Sequence, residues 1–224
     1  VTVRRPDAVL FDLDGTLVDS HAEISATLQR AVLDCGLPPI APLPRSRIGP
    51  PLDALIGALL PGADADALAR ARAAFVRRYD ASDYALTRPF PGARELLAAL
   101  SAMGVRAFVV TAKRDVPTRR ILATQALGPF EGVECVDTRP GAPRSKSEQV
   151  RDAVRDHALS PASTWMVGDT ASDLRAAHDH GLTAVAAQYG YGTPESLAAE
   201  RPHATITSLR GLLELVTSST EDVG

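Results

Sequence analysis

Two aspartates two residues apart follow a short apolar run in Phe11-Asp12-Leu13-Asp14-Gly15-Thr16-Leu17-Val18-Asp19-Ser20. Paired carboxylates at the carboxyl end of a buried strand repel each other and resist desolvation, so a bound cation is the natural compensation. Gly15 lets the chain turn sharply and opens backbone N–H groups toward an anion. A second acidic group stands in Val167-Gly168-Asp169-Thr170-Ala171-Ser172-Asp173, again just after an apolar run. Asp173 is also compatible with simply favouring a helix N-terminus, whereas Asp169 sits at the strand end beside the glycine. Acids from two strand ends can share one hard cation with water and phosphate oxygens, which is how magnesium is usually held. Thr111 ends a further apolar run, where its hydroxyl could donate to a phosphate oxygen. A solvated turn through Ala112-Lys113-Arg114 is the other reading. Lys146 lies in Ser145-Lys146-Ser147-Glu148, whose capping-box spacing puts it at the first helical position. A cation is unfavourable at that end of a helix, so either an anion sits nearby or the lysine is merely exposed.

Positioning these groups needs strands that end together. Ala8-Val9-Leu10-Phe11, Ala107-Phe108-Val109-Val110 and Trp165-Met166-Val167 read as buried strands, with Thr183–Ala186 and Ala204–Ile206 as further candidates. Unalternating apolar runs suit a parallel sheet covered on both faces. Amphipathic stretches over Ala93–Ala102, Val116–Gln125, Lys146–His157 and Asp173–His180 supply the intervening helices. The expected fold is therefore α/β with right-handed crossovers. Residues 20–88 break this rhythm. Ser20–Cys35 reads as a helix, with Ser20 and Glu23 as a capping box and Gly36 as its stop. A proline-rich stretch over Pro38–Pro51 and two more helical stretches, Leu52–Leu60 and Ala65–Tyr79, follow without a convincing strand. The expected organisation is a core of residues 1–19 and 89–224 with an all-helical insertion of residues 20–88. The polar tail from Thr217 to Gly224 reads as frayed.

The chain has 224 residues, 45% of them apolar, enough for one sizeable core plus a smaller insertion. A net charge of −3 with no long basic run argues against nucleic acid as a partner. No run approaches the length of a membrane span, and Val1–Asp7 has no signal-peptide pattern. Cys35 and Cys135 have no metal or redox spacing, which suits a cytoplasmic protein. The expected assembly is a monomer or homodimer.

The four pieces, in this order, resemble the motifs of the haloacid dehalogenase superfamily of phosphotransferases. Asp12-x-Asp14-Gly-Thr-Leu-Val-Asp-Ser is similar to the first motif, Thr111 to the second, Lys146 to the third, and Gly168-Asp169-x-x-x-Asp173 to the fourth. The helical insertion resembles the family's small cap, which implies a Rossmann-like parallel sheet carrying an all-helical cap after its first strand. Ile48-Gly49-Pro50-Pro51-Leu52, Pro91–Leu97 and Tyr189-Gly190-Tyr191-Gly192 resemble the phosphoglycolate phosphatase and nucleotidase-like members. The chain departs from them at Ala112 and Arg114, where Asn and Pro are frequent, and over Asp80–Arg88, which lacks a glycine turn.

The resemblance implies that Asp12 attacks phosphorus and becomes an aspartyl phosphate. Asp14 would protonate the leaving oxygen and then take a proton from the hydrolytic water. Mg²⁺ would be held by Asp12, the carbonyl of Asp14 and Asp169, with Asp173 in support. Thr111, Lys146 and the backbone near Leu13, Asp14 and Ala112 would bind the other phosphate oxygens of a small-molecule phosphate ester. Ile48, Gly49 and Pro50 are the expected cap contacts to substrate, with His21 and Lys113 as further candidates that also suit ordinary surface positions. The stiff Gly49-Pro50-Pro51 turn suits a compact cap and a small polar leaving group such as glycolate. A 5′-nucleotidase, a pyrophosphatase and a sugar phosphomutase are the enzymatic alternatives. A phosphoacceptor signalling domain or a phospho-ligand-binding protein are the alternatives of another class.

Overall fold

The computed structural model describes residues 4–219. Strand β1, Ala8–Phe11, is buried at all four positions because it lies between two other strands of a parallel sheet. Those neighbours are β4, Arg106–Thr111, and β6, Thr164–Gly168. Strand β5, Gly132–Cys135, lies outside β4, while β7, Thr183–Ala187, and β8, Ala204–Ile206, extend the other side. The order is β5-β4-β1-β6-β7-β8, and every neighbouring pair is parallel.

Alternate strand residues feed two separate cores, as the pleat dictates. Val9, Phe11, Val109, Trp165 and Val167 face one cluster. It is covered by α4 (Ala93–Ala102), α5 (Asp115–Thr124) and α9 (Leu209–Ser218), through residues such as Leu96, Ile121 and Leu212. Leu10, Phe108, Val110 and Met166 face the other, beneath α6 (Lys146–Asp156) and α7 (Ala171–Asp179), with Val150 and Leu174 packed against them. Each fully buried aliphatic or aromatic side chain contributes roughly 1.5–3 kcal/mol. A short helix α8, Pro194–Ala199, joins β7 to β8. The structure thus adds β5, α8 and α9 to the elements legible in the sequence. The helix α9 takes the expected frayed tail as far as Ser218, and Thr220–Gly224 lie outside the described residues, as do Val1–Val3.

After β1 the chain enters an all-helical insertion: α1, His21–Asp34; α2, Leu52–Leu59; and α3, Ala65–Ala81. Ile24, Leu28, Ala31 and Val32 form the buried stripe of α1, at the spacing of one helix face. The answering face of α3 presents Ala71, Ala74, Phe75 and Tyr79, whose alanines let the two helices approach closely. Gly36, at φ +69°, stops α1 as expected. The expected capping box is not there. The Ser20 hydroxyl donates to Asp14 instead, and the Glu23 carboxylate accepts from the Ser82 hydroxyl and the Leu86 N–H. Both side chains are drawn from the helix end by partners distant in sequence.

The insertion is joined to the core by a two-stranded antiparallel ribbon, β2 (Val18–Asp19) with β3 (Arg88–Pro89). Strands of two residues, one ending in proline, carry no periodic signal. The glycine missing from Asp80–Arg88 has a substitute: buried Tyr84 adopts φ +56° and makes the turn itself.

Candidate active site

The sheet order puts the carboxyl ends of β1, β4 and β6 side by side, and the candidate residues lie just beyond them. Asp12 follows β1, and its N–H donates to the Val167 carbonyl of β6 at 3.0 Å. Its carboxylate meets Lys146 Nζ at 2.8 Å. Lys146 also donates to the Val110 carbonyl at 2.9 Å and lies 2.9 Å from Asp173 Oδ1. The capping box expected at Ser145 and Glu148 is formed, so Lys146 does open α6. Its position is explained by these two carboxylates, not by exposure: it is buried. Burial works against the ammonium charge, but Asp12 and Asp173 together outweigh it and raise the Lys146 pKa.

Asp12, Asp169 and Asp173 are all buried, and one oxygen of each lies within 4.8 Å of the others. Burial, above all, pushes the Asp12 carboxyl up to about 6, with Lys146 opposing and Asp173 and Asp14 adding to the rise. Burial also raises Asp169 well above the ordinary carboxyl value, and the charges of Asp12 and Asp173 add to it. Three mutually repelling buried carboxylates with one lysine among them fit a hard divalent cation. The surrounding backbone is shaped for Asp169. A Cβ on Gly15, which has φ +90°, would lie 2.1 Å from Asp169 Oδ2, and one on Gly190 would lie 2.2 Å from Asp169 Cβ. Thr16 Oγ1 and the Tyr191 N–H hold the Asp169 oxygens at 2.8 and 2.7 Å. Asp173 divides its oxygens: Oδ2 accepts from the Thr170 N–H and hydroxyl at the start of α7, and Oδ1 faces Lys146.

The Asp14 carboxylate does not join this cluster; the group of Asp14 expected to face a metal is its carbonyl, and its side chain is held elsewhere. Ser20 Oγ donates to Oδ1, and Lys113 Nζ lies 2.9 Å from Oδ2. Gly15 likewise spends its own N–H inside the turn, on the Val18 carbonyl. The N–H groups of Leu13, Asp14 and Ala112 have no acceptor among the described residues, and Asp14, Thr111 and Ala112 line the same pocket as Asp12. Thr111 is buried, and its Oγ1 accepts the Lys113 N–H at 3.2 Å, which leaves the hydroxyl proton available to an anion.

A pocket opens from Asp12 and Lys146 toward the insertion. Ile48, Gly49, Pro50, Lys113 and Ala112 line it. His21 does not: its Nε2 meets the Leu43 carbonyl at 2.6 Å within the insertion. Lys113 is not a surface residue. Its side chain is 7% exposed and its Nζ donates to the Tyr79 hydroxyl of α3 at 2.9 Å, so it ties Asp14 to the insertion. Sequence reasoning missed Tyr79 and Tyr191. The Tyr191 hydroxyl accepts from the N–H of Ser20 at 2.8 Å and donates to Asp19, so one residue touches both the acidic cluster and the hinge. The signal was present in Tyr189-Gly190-Tyr191-Gly192, where small residues alternate because Asp169 leaves no room for a Cβ.

Comparison with known proteins bears on the family and the fold. The family model of haloacid dehalogenase-like hydrolases matches residues 9–187. The chain is 33% identical over 216 residues to a phosphoglycolate phosphatase of Pseudomonas putida, covering 93% of this chain and 79% of that protein. It is 32% identical over 214 residues to the tyrosine-protein kinase PtkA of Mycobacterium tuberculosis, covering 93% and 72%. A crystal structure of a predicted phosphoglycolate phosphatase from Haemophilus somnus superposes with a TM-score of 0.83 at 25% identity, over 94% of this chain and 98% of that one. With its parallel core, helical cap and four motif pieces in order, the chain belongs to the haloacid dehalogenase-like hydrolases, in their phosphatase branch.

Proposed function

We propose that the protein hydrolyses a small-molecule phosphate monoester with Asp12 as the nucleophile. The observation that carries this reading is the setting of Asp12. Its carboxylate pairs with Lys146 inside a buried cluster that also holds Asp169 and Asp173, and it opens on a pocket lined by Thr111 and Ala112. A phosphoryl group placed against Asp12 would find donors for its oxygens in Leu13, Asp14, Ala112, Thr111 and Lys146. A carboxylate oxygen attacks phosphorus, the ester oxygen leaves with the proton supplied by Asp14, and an aspartyl phosphate forms. Asp14 then takes a proton from water as that water attacks the same phosphorus, which regenerates Asp12. Mg²⁺ bound by Asp12, Asp169 and the Asp14 carbonyl, with Asp173 in support, would neutralise the cluster and the phosphoryl oxygens. Residues 20–88 act as a cap over a core of residues 1–19 and 89–224, excluding water and selecting the leaving group.

Phosphoglycolate is the first substrate to try, because a relative at 33% identity carries it in its name. Acid quench during turnover, followed by peptide mass spectrometry, should place phosphate on Asp12. Turnover with no protein-bound phosphate at any time point would overturn the covalent reading.

A further inference from the structure

We propose that the cap side of the pocket is built for a ring-bearing, uncharged leaving group, so that an arylalkyl phosphate is a better substrate than one whose leaving group carries a carboxylate. The inference rests on the phosphatase reading above and goes beyond the substrate that the relatives' names supply. The wall facing Asp12 and Asp14 is made by Ile24 of α1, Ile48, Leu52 and Leu55 at and beside α2, Phe75 of α3, and Pro117 of α5. Ile24, Ile48, Leu55 and Phe75 belong to the buried apolar cluster and also line the pocket, so this side of it is apolar and backed by apolar packing. Phe75 stacks on Tyr79 with centroids 5.0 Å apart and planes 16° from parallel, and both line the pocket. A third ring can continue such a stack or meet it edge-on, an arrangement worth about 0.5–1.5 kcal/mol beyond the area it buries.

The cations of the pocket argue in the same direction. Lys146 is engaged by Asp12 and Asp173, Lys113 by Asp14, and Arg114 by Asp80. Among the described residues that line the pocket, no cation is unpaired and ready for a second anionic group beside the phosphate. A carboxylate on the leaving group would enter an apolar wall without a counter-charge, or would have to break an existing pair, and either is costly. An uncharged ring asks for neither.

The test compares benzyl phosphate, phosphoglycolate and glycerol phosphate with Mg²⁺ present. The first two leave as primary alcohols, so the advantage of an activated phenol is absent. We expect kcat/KM for benzyl phosphate to exceed that for phosphoglycolate by at least about tenfold, which is about 1.4 kcal/mol. Glycerol phosphate should fall between them. Leu55→Arg, which adds an unpaired cation to the wall, should move the benzyl-to-glycolate ratio toward phosphoglycolate by at least about tenfold. If that variant does not fold, Phe75→Leu serves, because it keeps the wall apolar and removes the ring. It should lower kcat/KM for benzyl phosphate more than for glycerol phosphate. Equal or better use of phosphoglycolate by the unaltered protein overturns the inference, as does a ratio that neither variant moves. Acetyl phosphate, with almost no leaving group for the cap to touch, separates the two levels. If it too is left intact, the phosphatase reading falls and this inference with it.

Discussion

A divalent cation should stabilise the protein more at about pH 8 than at about pH 5. Burial, above all, raises the Asp12 carboxyl from its ordinary 3.8 to about 6, and Asp169 is raised in the same sense. A folded-state pKa above the unfolded one means that the native state holds more protons between the two. Without metal, the Asp12 contribution to stability is therefore full below pH 3.8 and is lost as pH rises through about 6. Metal binds the ionised carboxylates, so near pH 5 it must first displace the Asp12 proton, and near pH 8 it need not. One pH unit below the Asp12 value lowers metal affinity about tenfold, or about 1.4 kcal/mol, and Asp169 adds in the same direction. In a chain of this size about 1 kcal/mol moves Tm by about 2–4 °C. At saturating Mg²⁺, the difference in Tm between metal and chelator should shrink by at least about 3 °C from pH 8 to pH 5. Thermal melts followed by circular dichroism at both pH values measure it, and Asp169→Asn should flatten the dependence. A metal-induced shift as large near pH 5 as near pH 8 refutes the reasoning.

Asp12→Asn should abolish turnover and protein-bound phosphate while the chain still melts cooperatively; near-normal turnover would remove Asp12 as nucleophile. Lys146→Ala should lower kcat by about 10²–10³, the scale for losing one preorganised electrostatic contact, as measured in steady state. A change below about threefold would return Lys146 to a purely structural place. Gly190→Ala puts a methyl 2.2 Å from Asp169 Cβ. It should cost about 1–3 kcal/mol of stability and weaken Mg²⁺ binding in calorimetric titration, and unchanged metal affinity would mean the loop does not hold Asp169 in place. Replacing Gly49 by a bulky residue crowds Thr170, whose Cγ2 lies 3.2 Å from a Cβ placed there, and forces a side chain to adopt φ +124°. The kcat/KM ratio between benzyl phosphate and phosphoglycolate should then change by more than about tenfold, and no loss on either would take this loop out of the site.

The strands that carry the site were legible because they are buried on both faces and read as unbroken apolar runs: Ala8–Phe11, Ala107–Val110 and Trp165–Val167 all lie within observed strands. The acids at their ends were legible for the opposite reason, since nothing in strand or helix stability calls for charge there. Contacts across the chain were not. Ser20 has the sequence of a helix cap, yet its hydroxyl goes to Asp14. Lys113 has the sequence of a surface turn, yet it is buried between Asp14 and Tyr79, 34 positions away from the tyrosine. Strand β5 was hidden because Gly132-Val133-Glu134-Cys135 is an edge strand with glutamate and glycine in it, packed against α5 and α6. Local pattern reports the face an element buries, and these positions are decided by what another element brings to them.

On the proposed function, the same distinction makes chemistry and selection separable in this molecule. Asp12, Thr111 and Asp169 stand at the ends of strands in one sheet and Lys146 opens the helix α6 packed on it, so their geometry is set by a ladder of backbone hydrogen bonds and by two cores. The cap meets that site through a ribbon of two residues per strand and a few side-chain links. Lys113 reaches Tyr79, Arg114 reaches Asp80, and Tyr191 reaches Ser20 and Asp19. Two of these links begin at residues directly tied to the chemistry: Lys113 holds the Asp14 carboxylate, and the Tyr191 N–H holds Asp169. A cap that swings away must therefore loosen the Lys113–Tyr79 link, leaving Lys113 to Asp14 alone, while the core keeps Asp12 and Lys146 in place. On the proposed mechanism, cap position then bears on Asp14, the proposed proton-transferring residue, more than on Asp12, the proposed nucleophile. Damage to the hinge should accordingly fall on leaving-group departure and hydrolysis before it falls on phosphate binding.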